Sequence, residues 1–296
     1  MTEAAARITQ GAMYERIGVR PIAGALGAEI EGVDIAGGVD DETFGEIHRA
    51  WLEYTVIYFR GQRMSPAHQI EFAQRFGDIH RHLFNKAMDD YPQITELLKM
   101  PTQEANAGGR WHSDQMYTPQ PAKATMLYSR ELPAAGGDTM FASMYRAYDA
   151  LSGGMKAMLA DLRAVSNGNS GKHPSGMTRE ERVAAGTIHM AQINPGDAQT
   201  ISAHPAIRTH PETARKLLYI GGHTERFEGW SEAESAPLLK YLLAHATRPE
   251  FTCRLRWTQN ALAVWDNRCC QHFAINDYQG HQRRMHKVMI KGDTPF

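Results

Sequence analysis

Charge of one sign, a cysteine framework and a long apolar run are all missing from this chain. Lysine and arginine number 32 against 33 aspartates and glutamates, a net charge of −1, so neither nucleic acid nor an anionic membrane surface finds the basic stripe it needs. The cysteines are Cys253, Cys269 and Cys270. An odd number with one adjacent pair makes no disulfide framework, and the expectation is a reducing cytoplasm. No stretch approaches the roughly 18 apolar residues of a spanning helix, and the first residues carry no hydrophobic signal region, so a soluble cytoplasmic protein is expected. Internal repeats and low-complexity segments are absent as well. What remains is 296 residues, 42% hydrophobic and 22% charged, enough for one large core.

Residues 1–14 are Ala-rich and polar without a period, and read as a frayed tail. Residues 15–296 read as one domain. From Ile17 to Ile35 glycines break short apolar runs, which suggests two strands and a turn. Asp40-Asp41-Glu42 opens a helix with Phe44, Ile47, Trp51 and Tyr54 on one face, acids leading as the helix dipole prefers. Thr55 to Phe59 is a continuous β-branched and aromatic run, the mark of a buried strand. Ser65-Pro66 caps and starts a second helix that carries Ile70, Ala73 and Phe76 inward and stops at Gly77. Strands are expected at Ala124 to Tyr128, after the Gly136-Gly137 turn, at His204 to Thr209 and at Leu217 to Ile220. A helical stretch is expected from about Ser143 to Leu162. Between 166 and 200 periodicity is lost among Gly, Ser, Asn and Pro, and a connection of that length reads as a lid over an active site. Ser231 and Glu234 form a capping box ahead of the stripe Leu238, Leu239, Leu242 and Leu243. Phe251, Cys253, Leu255 and Trp257 then alternate with polar residues as a half-buried strand does. Ala261 to Trp265 and Met285 to Ile290 complete the strands. Many strands without regular strand–helix alternation predict a mainly β fold with flanking helices: a double-stranded β-helix, the jelly-roll or cupin-like barrel.

The chemistry concentrates at Trp111-His112-Ser113-Asp114. Side chains alternate along extended backbone, so His112 and Asp114 fall on the same side. They are two ligands of a 2-His-1-carboxylate triad, which leaves open positions on ferrous iron. On spacing alone the pair more often marks the end of a surface strand. His272, just past the strand Ala261 to Trp265, is the candidate third ligand, one of 14 histidines. An oxygenase using 2-oxoglutarate also needs a cation for the distal carboxylate of that diacid, and a planar guanidinium suits it. Arg283 and Arg284 offer one; from composition alone the pair better suits a solvated strand edge.

Four motifs in order lift this reading. They are Trp111-His112-Ser113-Asp114, Gly136-Gly137-Asp138-Thr139, Trp265-Asp266-Asn267-Arg268 with Gln271-His272, and Asn276-Asp277-Tyr278 with Gln282-Arg283-Arg284-Met285-His286. Together they resemble the taurine dioxygenase family of Fe(II)/2-oxoglutarate oxygenases, which includes alkylsulfate and aryloxyalkanoate dioxygenases. The likeness runs from about Ile17 to Phe296. It implies that His112, Asp114 and His272 bind iron, that Thr139 contacts the 2-oxoglutarate carboxylate, and that Arg283 rather than Arg284 anchors its far end. It implies oxidation of a substrate by O2 with release of succinate and carbon dioxide. The retained Asp114 favours hydroxylation over halogenation. Lys287 stands where family members grip a sulfonate or sulfate with arginine, His82 matches a substrate-facing histidine, and His223 falls at a pocket phenylalanine. A small anionic substrate follows: a sulfonate, sulfate ester, aryloxy acid or carboxylate. A homodimer or homotetramer is implied as well. Two other readings stay open, a zinc hydrolase on the same three ligands and a barrel that binds a small acid without turnover.

Overall fold

The structure is a computed structural model that describes residues 14–169, 176–185 and 192–296; the expected tail, Tyr14 apart, lies outside them. The chain opens with β1 (Gly18–Pro21) and β2 (Ala28–Glu31), then α1 (Asp41–Tyr54), β3 (Val56–Phe59), α2 (Pro66–Gln74), β4 (Ile79–His80), β5 (Thr95–Lys99), β6 (Ala124–Glu131) and β7 (Thr139–Ser143). It continues through α3 (Met144–Asp149), α4 (Gly153–Leu159), β8 (Arg163–Asn167), α5 (Arg179–Ala184), β9 (Ile201–Pro205), β10 (Ile207–Thr209), β11 (Lys216–Leu218) and β12 (Thr224–Phe227). The last elements are α6 (Glu232–Ala246), β13 (Thr252–Leu255), β14 (Leu262–Asp266), β15 (Cys270–Ala274) and β16 (Arg283–Ile290).

Helix starts follow side-chain caps, because the first backbone N–H groups of a helix need acceptors. Asp40 accepts from Thr43 N at the head of α1, and Ser231 with Glu234 closes a capping box on α6. In α2 the buried residues are Gln69, Phe72 and Ala73, with Ile70 only partly buried. The stretch expected to be one helix from Ser143 to Leu162 is two, since Ser143 and Ser152 each cap a new start. The bulk of the hydrogen-bonded ladder is an eight-stranded sheet, β1-β2-β3-β14-β6-β16-β4, with β5 also paired to β16. A three-stranded sheet, β13-β7-β15, faces it.

The interior between these sheets explains the continuous apolar runs. Val56 and Tyr58 of β3 and Ala263 and Trp265 of β14 meet Phe141, Cys253, Leu255 and Cys270 of the smaller sheet. Their neighbours Ile57, Phe59, Leu262 and Val264 point the other way, under Trp51, Phe72 and Phe76 of the first two helices and their ends. A strand covered on both faces loses its polar alternation. This two-sheet jelly roll with outer helices is the architecture expected; the two sheets remain separate ladders rather than a continuously bonded ring. Two strands escape the sequence patterns. Thr95–Lys99 carries a glutamate and a lysine and is recognisable only through its pairing with β16. His272 follows β14 as expected, but sits within a further strand, β15, in register with Phe141.

One buried histidine outside the sheets' interior makes stability sensitive to acid. His204 lies on β9 with Nε2 2.9 Å from the Thr118 carbonyl. Burial holds its pKa down at about 4, against an ordinary 6.5. Between these values the unfolded chain binds a proton that the folded chain refuses, so stability is full above pH 6.5 and falls as pH drops toward 4. A shift of this size corresponds to about 3 kcal/mol at full extent. Urea midpoints measured across that window are expected to decline, and more shallowly for His204→Gln; equal slopes would remove His204 as a cause.

Candidate active site

His112 and His272 are brought together by two reciprocal backbone hydrogen bonds, His112 N to His272 O at 3.1 Å and the reverse at 2.8 Å. The segment around His112 is extended but forms only this single bridge, not a strand. The alternation expected of it still holds. Asp114 turns to the histidine side, and Ser113 turns away to donate to the Asn267 carbonyl at 2.5 Å. Asp114 Oδ1 lies 3.8 Å from His112 Nε2 and 3.9 Å from His272 Nε2. One ligand atom from each of the three residues falls within 4.8 Å of the others. These edges are too long for hydrogen bonds and suit donors grouped round one ion.

The protonation states agree. His112 Nδ1 lies 2.7 Å from the Arg110 carbonyl, which as N–H donor leaves Nε2 with its lone pair, the usual outer support of a metal-bound imidazole. Burial pushes the pKa of His112 down and that of His272 well down, so both are neutral ligands. His272 Nδ1 is buried and has no partner among the described residues. Burial alone would push the Asp114 carboxyl up. The Lys287 ammonium at 2.8 Å, then His272 and His112, more than offset it and hold the group ionised, far below the usual carboxylate range. Asp114 Oδ2 accepts from Thr125 Oγ1 at 2.5 Å, and Asn267 Nδ2 donates to the same hydroxyl at 2.8 Å. Asn267 Oδ1 in turn accepts from Trp265 Nε1 at 2.9 Å. Thr125 and Asn267 thus aim the carboxylate, a role that sequence reading missed although Asn267 stands in a quoted motif.

A cavity of about 290 Å³ opens on these ligands, and every sequence-nominated site residue lines it. On one side, Thr139 Oγ1 accepts from Trp257 Nε1 at 3.0 Å, which orients the hydroxyl while leaving its own proton to donate. Arg283 is buried beside Trp257 and Tyr278, and its Nε is a buried donor without an acceptor among the described residues. Its approach depends on the Gly136-Gly137 turn. Both glycines have positive φ (84° and 71°), and a Cβ on Gly137 would stand 3.1 Å from Arg283 Cδ. An unsatisfied guanidinium N–H in a cavity with an oriented hydroxyl fits the carboxylates of a small diacid.

On the other side, His82 Nδ1 accepts from Phe84 N and Asn85 N, both at 3.1 Å. That places the proton on Nε2 as a donor, and burial keeps the ring neutral. His223 Nδ1 lies 2.8 Å from Arg110 Nη2, and its ring stands edge-on to His112 and Tyr117. Lys287 also lines the cavity, but its ammonium is already engaged by Asp114. Sequence reading missed Arg110, Arg179 and Arg182, which share this wall. The arginines at 179 and 182 come from α5, one described part of the 166–200 segment expected to cover the site; residues 170–175 and 186–191 lie outside the described residues.

A second group of possible ligands, His210, Asp266 and Cys269, is closed to metal. Arg268 takes both Asp266 oxygens at 2.8 and 2.7 Å, and burial pushes the Cys269 thiol far up, keeping it protonated.

Comparison with known proteins converges on one group. The sequence pattern of the taurine catabolism dioxygenase TauD, TfdA family matches residues 18–289. The chain is 32% identical to an alpha-ketoglutarate-dependent sulfate ester dioxygenase of Pseudomonas putida, over 94% of this chain and 90% of that one. It is 30% identical to an (S)-phenoxypropionate/alpha-ketoglutarate-dioxygenase of Sphingobium herbicidovorans, over 93% and 95%. The crystal structure of a taurine dioxygenase from Burkholderia xenovorans superposes with a TM-score of 0.79 at 28% identity, covering 95% of this chain and 93% of that one.

Proposed function

The chain belongs to the taurine catabolism dioxygenase TauD, TfdA family, and on that footing we propose that it is an Fe(II)- and 2-oxoglutarate-dependent dioxygenase that hydroxylates a small anionic organic compound, consuming O2 and releasing succinate and carbon dioxide. The observation that carries the reading is the convergence of His112, Asp114 and His272 on one cavity with Thr139 and Arg283. Two neutral imidazoles and an ionised carboxylate fit ferrous iron, and these three residues would hold it. Iron bound there, with the 2-oxo acid, supplies the oxygen-activating chemistry. The protein's own work is placement. Arg283 pairs with the distal carboxylate of 2-oxoglutarate, Thr139 donates to its carboxylate, and the buried aromatic wall of Trp257, Trp265 and Tyr278 keeps bulk water from the reacting atoms.

His82, His223 and Lys287 make the substrate end. His82 presents a neutral N–H, and Lys287 spreads positive charge over Asp114 and whatever anion lies beside it. Sulfonates, sulfate esters, aryloxy acids and short carboxylates are the substrate classes that fit. A zinc hydrolase on the same triad has no use for Arg283 or Thr139, and the relatives do not support it. The reading also makes residues 15–296 one catalytic domain, covered by the described parts of the 166–200 segment, in a cytoplasmic homodimer or homotetramer. Three free, buried cysteines suit a reducing compartment, and among the described residues no helix is long and apolar enough to cross a membrane. Sedimentation equilibrium decides the assembly, and fractionation of the cells that make the protein the compartment.

Reconstitution with Fe(II) and 2-oxoglutarate, followed by air, is expected to give substrate-triggered succinate across some member of that panel, with no turnover on zinc. Arg283→Gln is expected to raise the KM for 2-oxoglutarate about tenfold to a hundredfold, the size of a lost charge-assisted hydrogen bond, with a smaller change in kcat. An unchanged KM would reassign the anchor.

A further inference from the structure

Gln115 directly follows the metal ligand Asp114 and is 2% exposed, yet its amide is only half used. Its Oε1 meets His80 Nε2. An amide oxygen can only accept, so the imidazole carries its proton on that nitrogen and donates. Gln115 Nε2 is buried and has no acceptor among the described residues. The residue lines the cavity together with Asp114, His82 and Lys287. A buried donor left unpaired costs stability, and native folds keep one where a ligand or a water completes the bond.

The backbone is bent to bring this side chain to the cavity. Gln115 has a φ of 53°, in the left-handed region that side chains other than glycine rarely enter. Thr118 closes the turn, its N and its Oγ1 each donating to the Gln115 carbonyl at 2.9 Å. Met116 is sunk into the core, so close to Gly221 that a Cβ there would stand 2.8 Å from its sulfur. Strain of this kind beside a reactive centre is part of how a site is held ready. His80 belongs to β4 and is in register with Met289 of β16, the strand that carries Lys287. His82, two residues on, has its Nδ1 taken by Phe84 N and Asn85 N and offers Nε2–H. The charges of Lys287 and Asp114 both reach its ring. Gln115 therefore stands with His82 and Lys287 at the substrate end.

We propose that Gln115 is a substrate-binding residue whose Nε2 donates to an oxygen of the anionic head group, and that His80 is the positioning residue that turns the amide that way. The contact stands on the orphaned amide and its anchoring; that the anion is the compound oxidised rests on the dioxygenase reading above. Lys287 shares its charge with Asp114, so the neutral donors of Gln115 and His82 supply direction where the ammonium supplies attraction. A sulfate ester, a sulfonate and a carboxylate all offer the anionic oxygen this amide needs.

Calorimetry on the full-length protein loaded with Mn(II) and 2-oxoglutarate measures the contact apart from turnover, with butyl sulfate, butanesulfonate, pentanoate and phenoxyacetate as probes. For the probe that binds tightest, Gln115→Leu is expected to weaken binding about tenfold to a hundredfold, as for a lost hydrogen bond to a charged group. A neutral donor adds no charge, so the salt dependence of binding is expected to stay as in the wild type, whereas Lys287→Met weakens it. The Kd for 2-oxoglutarate is expected to stay within about twofold, as for an independent site. His80→Phe is expected to cost about threefold to tenfold, and to cost nothing further once Gln115 is leucine. If Gln115→Leu misfolds, Gln115→Asn replaces it, since asparagine enters the left-handed region more readily and its amide falls one methylene short. Unchanged probe binding in the Gln115 variant means that water alone completes the amide, and overturns the contact. No measurable binding of any probe to the wild type overturns it too, and additive losses in the double variant remove His80 from its role. Succinate release with Fe(II) is read on the same preparations. Binding that depends on Gln115 with no succinate from any probe sinks the dioxygenase reading and spares the contact. Succinate release with binding indifferent to Gln115 does the reverse.

Discussion

Asp114→Ala is expected to lower substrate-triggered succinate formation by at least about a thousandfold, roughly 4 kcal/mol of lost transition-state stabilisation. The carboxylate is the anionic corner of the triad, and two neutral imidazoles alone hold a divalent ion poorly. The same substitution also probes the metal-free protein. Lys287 and Thr125 both point at this carboxylate, so its removal leaves a buried ammonium and a buried hydroxyl without an acceptor. Breaking a buried charge pair from one side typically costs about 3–5 kcal/mol; a deprotonating lysine would limit the loss. Urea unfolding of metal-free Asp114→Ala is expected to show that destabilisation, and adding Lys287→Met is expected to recover most of it without restoring turnover. Asp114→Ala with wild-type turnover would remove this residue from the metal site. A double-mutant cycle with additive stability effects would mean that Lys287 and Asp114 do not pair.

Arg268→Ala is expected to produce the second large effect, and on folding first. Arg268 clamps both oxygens of Asp266 and donates to Glu212 Oε1 at 2.5 Å, with its guanidinium 5.1 Å over Trp51. Asp266 also meets His210 Nε2 at 3.0 Å. Without Arg268 a fully buried carboxylate keeps a single side-chain partner. About 3–5 kcal/mol of stability is expected to go with it, read as a drop in urea midpoint without a change in slope. The clamp lies beside Asn267, which supports Asp114, and at the entry to β15, which carries His272. Iron affinity is therefore expected to fall as well, by about tenfold to a hundredfold as for other residues that support metal ligands. A stable variant with weakened iron binding would make Arg268 a positioning residue alone; an unchanged midpoint and affinity would show that the cluster is dispensable.

Much of this molecule is legible residue by residue. The Asp40, Ser65 and Ser231 caps mark helix starts because orphan N–H groups need nearby oxygens, wherever the helix later packs. Val56 to Phe59 and Leu262 to Trp265 announce buried strands through unbroken hydrophobicity. His112 and Asp114 share a face because extended backbone alternates, and the order of four motifs points to His272, Thr139 and Arg283. Beyond local period the patterns fail. Thr95–Lys99 is too polar to read as a strand until β16 supplies its partner, and α5 is too short, with no buried residue of its own, to leave a hydrophobic stripe.

Sequence alone determined most of the local elements, the two-sided burial of the central strands and the identity of the candidate metal and co-substrate residues. Tertiary structure decided which charges meet. Lys287 reads in sequence as a substrate-facing cation, and only the fold shows that its ammonium also sits 2.8 Å from Asp114. Arg110, Arg179 and Arg182 belong to unrelated stretches, and no spacing rule links a loop before His112 to a helix in an aperiodic segment. Their convergence on one wall follows from strand pairing and loop paths that bring distant residues together, and the energy of a charge depends on what surrounds it there. Periodicity can place a side chain on a face; only the packed fold gives that face its neighbours.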